Sequence, residues 1–108
     1  FAGMKHAWQQ EHNFRIHLFA AAAVTAAGFY FQIDRTEWTF LVFAIGLVII
    51  AELVNSAIEL LADFVSPGEN KTIGKVKDIA AAAVLVSAIV AVIAGILVFY
   101  PHVKALFT

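Results

Sequence analysis

A long apolar segment over residues 79–100 constrains this chain more than any other feature. Apart from the tyrosine that ends it, Ser87 is the only polar side chain among its 22 residues. At about 1.5 Å per helical residue, such a segment crosses the roughly 30 Å hydrocarbon core of a bilayer. We therefore predict a transmembrane helix over 79–100 that ends at Pro101.

Two further segments have the composition of membrane spans. Residues 38–62 form the second, in which 38–51 are uncharged and the acids lie at one end. Residues 14–33 form the shortest, with Arg15 near its start, where the side chain can reach the interface. Residues 2–12 mix apolar and polar side chains, as in a helix on the membrane surface. We expect one membrane-embedded all-α domain over 1–108, with a surface helix and three spans.

The composition excludes several classes of protein. With 62% hydrophobic and 14% charged residues and a mean hydropathy of +0.87, a chain of 108 residues has too little interior to hide its apolar surface from water. The net charge of -1 argues against nucleic-acid binding, which normally needs a basic surface. The absence of cysteine excludes disulfides and thiolate metal sites.

The basic residues predict how the chain lies in the membrane. With three spans, five of the seven lysines and arginines fall on one side, which we expect to be cytoplasmic. We predict a tight external turn over 34–37 and a long polar cytoplasmic loop over 64–77, broken by Pro67 and Gly68. The five residues are Lys5, Arg15, Lys71, Lys75 and Lys77, against Arg35 and Lys104 on the other side.

The second span carries a polar stripe. On a helix, the side chains of the five residues of this stripe point within roughly 60° of the direction of the Glu52 side chain. Ionisable groups inside a membrane usually face a bundle interior or an aqueous cavity, which makes function the first hypothesis. The structural alternative is that these side chains only hold helices together. The stripe consists of Glu52, Asn55, Ser56, Glu59 and Asp63.

The surroundings of the stripe favour phosphoryl transfer. Glu11 and Asp78 are predicted on the same side, close to the lysines, and carboxylates beside lysines suit a divalent ion held with a polyphosphate. Glu59 lies near the predicted cytoplasmic end of the span, which suits a metal ligand. Glu52 lies about 10 Å deeper along the helix, where a base meets a lipid hydroxyl more naturally than a soluble substrate.

Two other signals do not support a site. Residues 68–75 have five residues between their glycines where a phosphate-binding loop has four, and no strand precedes them. The four histidines lack zinc-ligand spacing, so we expect them to be interfacial side chains. They are His6, His12, His17 and His102.

The stripe and its flanks resemble a known family. The sequence E-L-V-N-S-A-I-E over 52–59, followed by Asp63, by Lys77-Asp78 and by an Ala-rich third span, resembles the signature of the prokaryotic diacylglycerol kinases, which include the undecaprenol kinases. Residues 3–15 resemble the surface-helix segment of that family. The run over 13–17 looks more like the undecaprenol-kinase branch.

The resemblance implies a homotrimeric lipid kinase of the bacterial inner membrane. It implies transfer of the γ-phosphoryl group of ATP, with Mg²⁺, to the hydroxyl of diacylglycerol or undecaprenol at the cytoplasmic face. Glu52 is the implied base, and Glu11 and Glu59 are the implied metal ligands. The implied ATP contacts are these two glutamates with Gly68, Glu69, Asn70, Lys77 and Asp78; Asn55 and Asp63 form a polar shell; Trp8, Phe14 and Arg15 join Glu52 in contacting lipid.

Some alternatives stay open at this point. Because the chain begins at Phe1, we expect that an N-terminal arm, which family members use for nucleotide and lipid, is cut short. A non-enzymatic oligomer that passes cations or protons is the competing class, although 38–51 and 79–100 offer its path no ionisable side chain. A family member without turnover, acting as a structural subunit, is a third hypothesis.

Overall fold

The computed structural model describes the backbone of residues 1–108 and the side chains of all of them except residue 10. Four helices follow one another: α1 over Ala2–Gln10, α2 over His12–Phe31, α3 over Arg35–Val65 and α4 over Lys71–Leu106. They form an elongated bundle of 57 × 26 × 21 Å, in which α3 and α4 pack against each other most extensively. The all-helical prediction is confirmed.

Three of these helices, α2, α3 and α4, are long and apolar enough to cross a membrane. Only 11–22% of the residues in their most apolar windows are buried within the chain. Large side chains such as Phe43, Ile79 and Leu97 point outward from them. Such a surface is stable only against lipid or further copies of the chain, so the prediction of a membrane protein is confirmed.

The turn between α2 and α3 is fixed by two caps. α2 ends at Phe31, and Gln32 takes a left-handed conformation while Ile33 N–H donates to the Gly28 carbonyl at 3.2 Å. At the start of α3, the Asp34 carboxylate accepts from Glu37 N–H at 2.8 Å, and the Glu37 carboxylate accepts from Asp34 N–H at 3.1 Å. The turn therefore occupies 32–34, whereas we expected it at 34–37 and the span to continue to 33.

The apolar core of the protomer lies beside this turn. Ile33, Leu41 and Val98 are buried together, with Trp38 and the ring of Phe31 packed on them. The indole of Trp38 lies so close to Gly28 that a Cβ there would come within 2.6 Å of it. A glycine at this position is what lets α2 and α3 meet.

The prediction of a long loop over 64–77 is wrong. α3 continues to Val65, and α4 begins at Lys71, so only residues 66–70 separate them. The Asn70 side chain accepts from the backbone N–H groups of Thr72 and Ile73 at 2.9 and 3.1 Å. This cap satisfies donors of the first turn and allows the lysine-rich segment to be helical.

The prediction that Pro101 ends the last helix is also wrong, because α4 runs through it to Leu106. A proline removes one backbone donor and crowds the preceding turn. Here the next residue is held from outside the helix: His102 Nε2 lies 2.9 Å from a Glu37 carboxylate oxygen, and its ring packs on Phe31. These contacts keep the segment after the proline against α2 and α3.

We expect Gly28→Ala to lower the free energy of unfolding by about 1–3 kcal/mol, because the new methyl group displaces the Trp38 indole. Gly46→Ala in α3 is the control, since a Cβ there meets open space, and helix propensity predicts a gain of about 0.5–1 kcal/mol. Denaturant unfolding in detergent micelles measures both. Equal stability of Gly28→Ala and the unchanged chain would contradict the close approach.

Candidate functional site

The polar stripe of α3 runs from the inside of the bundle to its surface. Glu52 is 3% exposed and Ser56 is buried, Asn55 and Glu59 are half-buried, and Asp63 is exposed. His17 of α2 lies against Glu52, whereas the last turn of α3, from Asp63 to Val65, is exposed. The stripe thus connects a buried carboxylate with the polar end of the molecule.

Glu52 contacts His17, one of the four histidines that we expected to be interfacial side chains. Nδ1 of His17, on α2, lies 2.6 Å from the Oε1 atom of Glu52. The contact is close, but its direction is not that of a hydrogen bond, so it is a close polar contact whose alignment is incomplete. A carboxyl group as deeply buried as that of Glu52 is costly unless a polar group lies beside it.

One turn further along α3, Asn55 and Glu59 are hydrogen-bonded. Asn55 Nδ2 donates to the Oε1 atom of Glu59 at 2.9 Å, which fixes that carboxylate on the stripe. The amide oxygen of Asn55 and the hydroxyl of Ser56 are buried and accept no hydrogen bond from any group that the structure describes. Unsatisfied polar atoms are costly inside a protein, and they cluster here between Glu52 and Glu59.

A polar cleft of about 660 Å³ lies where α3 turns into α4. It brings together four of the residues predicted to bind nucleotide, whereas Asp78 is exposed on the next position of α4 and does not line it. The Nζ atom of Lys77 donates to the Asp63 carboxylate across the mouth of the cleft. The predicted residues that line it are Asp63, Gly68, Glu69, Asn70 and Lys77.

The charge of Lys77 is secured by its neighbours. This residue precedes the apolar part of α4, and the hydrogen bond to Asp63 raises its pKa above the ordinary value of 10.5, which outweighs the lowering effect of desolvation. The negative charges of Asp63 and Glu59 add to the rise. An ammonium group therefore stands in the cleft throughout the physiological pH range.

The predicted residues near the N-terminus gather at the break between α1 and α2. Glu11 is extended there, and its side chain is half-buried. The Arg15 guanidinium donates to the Trp8 and Gln9 carbonyls at 2.6 and 3.0 Å and so caps the end of α1. Trp8 is partly exposed, but Phe14 is only 1% exposed and is a packing residue within the protomer.

The described side chains do not form a complete metal site. No three of the histidine, aspartate and glutamate side chains in the described part of the chain are grouped closely enough to hold an ion. The two predicted metal ligands sit on different elements, Glu11 at the end of α1 and Glu59 on α3. Their assignment stays a prediction.

An apolar groove of about 230 Å³ runs between α2, α3 and α4, and its single titratable lining residue is His17 at one end. Most of the remaining lining is alanine and valine, including Ala20, Ala88 and Ala91. The sequence analysis predicted neither the groove nor the contact of His17 with Glu52. His17 and Glu52 are far apart in the chain, and only the antiparallel packing of α2 on α3 brings them together.

The chain matches a known protein family over most of its length. Residues 1–99 match the model of the prokaryotic diacylglycerol kinase family. The chain belongs to this family. The resemblance stated from the sequence is thereby confirmed, and because the family is one of lipid kinases, so is the prediction of an enzyme.

Three relatives of this chain are between 32% and 37% identical to it. It is 37% identical over 91 residues to an undecaprenol kinase of Bacillus subtilis, which covers 84% of this chain and 74% of the relative. It is 36% identical over 107 residues to a diacylglycerol kinase of Synechocystis, covering 98% of this chain and 61% of the relative. It is 32% identical over 100 residues to the diacylglycerol kinase of Escherichia coli K12, covering 93% and 82%.

We expect Asp63→Asn to lower the pKa of Lys77 towards its ordinary value, because the raising hydrogen bond and charge are lost. A raised lysine pKa means that the pair stabilises the fold fully below about pH 10.5 and ceases to do so as the pH rises through the folded-state value. NMR titration of labelled lysine side chains in micelles measures the shift. Lys77→Arg assigns the signal, and an unchanged titration in Asp63→Asn would refute the pairing.

Proposed function

We propose that this chain is an ATP- and Mg²⁺-dependent kinase that phosphorylates the hydroxyl of a membrane lipid alcohol at the cytoplasmic face of a bacterial inner membrane. The observation that carries the proposal is the polar stripe itself. It links the buried Glu52 with a cleft that holds Lys77 and Asp63 at the polar end of the bundle.

The cleft is where we place ATP. Lys77 offers a fixed positive charge, and backbone N–H groups of the turn around Gly68 and Glu69 can approach phosphate oxygens closely. Asn70 caps α4, so the positive end of that helix faces the same cleft. Asp78, on the neighbouring position, is proposed to contact the nucleotide from outside the cleft.

Glu59 and Glu11 are the residues that we propose to hold Mg²⁺. Carboxylates and amide oxygens are the ligands that this ion prefers, and the buried, unpaired amide oxygen of Asn55 beside Glu59 fits that chemistry. When bound, the ion neutralises charge on the transferred phosphoryl group. Two protein carboxylates are enough when phosphates and waters complete the coordination.

Glu52 is the proposed general base. It accepts the proton of the lipid hydroxyl while the hydroxyl oxygen forms its bond to the γ-phosphorus, and the bond from that phosphorus to the β,γ-bridging oxygen breaks to release ADP. Lys77 stabilises the charge on the phosphates. The chain's main contribution is to align the two substrates, which phosphoryl transfer requires more than covalent help.

The hydrocarbon chain of the substrate is proposed to lie in the apolar groove. The groove ends at His17, beside Glu52, so a lipid in it presents its polar end to the base. Trp8 and Arg15, at the membrane surface, are placed to contact the headgroup, while the buried Phe14 supports them by packing. An apolar groove distinguishes poorly between acyl and polyprenyl chains, and therefore both lipids are tested below.

A homotrimer and the cytoplasmic orientation complete the proposal. The long helices bury only a minor part of their apolar surface within one protomer, which favours association in the membrane. The cleft end of the bundle carries Lys71, Lys75 and Lys77, while the opposite end has Arg35 and Lys104. This asymmetry favours a cytoplasmic cleft.

The groove argues against the competing ion pathway. Beyond His17 its lining is aliphatic, and the next titratable groups along the bundle are Glu37 and His102 at the far end. An ion between the two ends would lose its hydration with nothing to replace it.

We expect Glu52→Gln to reduce phosphoryl transfer by about 100-fold or more, because the amide cannot accept the hydroxyl proton. Transfer from radiolabelled ATP is measured in mixed micelles with Mg²⁺, with diacylglycerol and undecaprenol offered separately. Glu37→Gln is the matched control, since glutamine preserves the capping box, and its turnover should stay within about twofold of the unchanged chain. Full activity of Glu52→Gln would exclude it as the base, and failure to phosphorylate either lipid would refute the kinase proposal.

We expect Ala91→Leu to raise the KM for the lipid by about tenfold, because the larger side chain fills part of the groove, while the KM for ATP stays unchanged. Ala83→Leu, an exposed position of the same helix outside the groove, is the control. Steady-state kinetics with each substrate varied in turn measure both constants. An equal lipid KM in the two variants would place the hydrocarbon chain elsewhere.

A further inference from the structure

We propose that His17 is a positioning residue for the carboxylate of Glu52. The inference rests on the proposed function, in which Glu52 is the base, and adds a residue that the sequence analysis placed among the interfacial histidines. His17 acts through Glu52: by holding one carboxylate oxygen, it turns the other towards the lipid hydroxyl.

The geometry makes His17 the neighbour that can do this. Its Nδ1 atom lies 2.6 Å from the Oε1 atom of Glu52, and the contact joins two helices, so it ties the base to α2 as well as to α3. Elsewhere on the stripe, Asn55 is already engaged with Glu59. Of the side chains that the structure describes, that of His17 makes a close polar contact with the Glu52 carboxylate.

A base on a long side chain needs such a constraint. Glutamate has three rotatable bonds, and a displacement of 1 Å at the reacting atom can cost about 100-fold in rate. A contact with incomplete alignment in the free enzyme is typical of catalytic neighbours that tighten when substrate binds. The imidazole ring is a stiff group that can provide this contact from the adjoining helix.

The location of His17 connects the base with the lipid. Its side chain is 26% exposed and lies at the end of the groove, whereas Glu52 behind it is nearly closed off. A lipid in the groove therefore reaches Glu52 past the imidazole. Positioning of the base and arrival of the hydroxyl occur at the same place.

The protomer contains a second histidine–glutamate pair for comparison. His102 Nε2 lies 2.9 Å from the Oε2 atom of Glu37 at the opposite end of the bundle, where Glu37 also caps α3. This pair has the same chemistry and joins two helices as well. A purely structural role for His17 predicts that the two histidines respond alike when they are replaced.

The test compares His17→Ala, His17→Asn and His17→Gln in the full chain in mixed micelles. The asparagine amide nitrogen occupies nearly the place of Nδ1, while the glutamine amide reaches towards the place of Nε2. We expect the alanine and glutamine variants to lose about 10- to 100-fold in kcat with a KM for ATP within about twofold, as a misplaced base predicts. His17→Asn should recover kcat to within about fivefold of the unchanged chain.

Coupling gives a second measurement. In a Glu52→Asp background the shorter carboxylate is withdrawn from the imidazole, so His17→Ala should reduce kcat less than about fivefold further. His102→Asn is the control at the structural pair, and its kcat should equal that of the unchanged chain. Unfolding midpoints of all variants are measured in the same micelles.

Several outcomes overturn the proposal. An unchanged kcat in His17→Ala does so, as does an asparagine variant no better than the glutamine variant, or a full additive loss in the Glu52→Asp background. If His17→Ala fails to fold, the asparagine and glutamine variants decide between the two predictions. An unchanged chain without lipid phosphorylation, or a fully active Glu52→Gln, would instead refute the proposed function.

Discussion

A carboxylate inside a membrane protein must have a partner, and the arrangement of this bundle depends on that requirement. An acid within a spanning helix costs up to about 2.5–3.5 kcal/mol on insertion scales, and a polar group on a neighbouring helix offsets part of that cost. For Glu52 this group is the imidazole of His17 on α2. This contact brings α2 against α3 near the polar end of the bundle, and the groove that leads to it follows from the same approach.

The two ends of the protomer are stabilised by different means. At the turn between α2 and α3, a capping box, the Gly28–Trp38 contact and the His102–Glu37 pair surround a closed apolar core. At the other end, a five-residue connection, a polar cleft and several unsatisfied buried atoms replace it. Buried polar groups without a partner are rare in natural proteins, and a catalytic role or a bound ion is among their explanations. The proposed site thus lies at the opposite end of the bundle from the apolar core.

Local rules predicted much of this molecule. The apolar lengths gave the three spans, and helical periodicity placed Glu52, Asn55 and Glu59 on one face. Two boundaries failed for identifiable reasons: the Asn70 cap makes the lysine-rich segment helical, and His102 holds α4 beyond Pro101. The His17–Glu52 contact could not be predicted, because no periodicity relates residues on different helices. Phe14, expected to contact lipid, is covered by packing that only the tertiary structure reveals.

The length of α4 sets a depth scale. Its 36 residues extend about 54 Å, far more than the roughly 30 Å of hydrocarbon that residues 79–100 can fill. The turns over 71–78 therefore extend up to about 12 Å beyond the apolar boundary, into the layer where headgroups and water mix. The one helix α4 is thus long enough to reach from the hydrocarbon core into the headgroup layer. Residues of α4 line both the cleft and the groove, so in the proposed function this helix joins the site of a water-soluble reactant to that of a lipid.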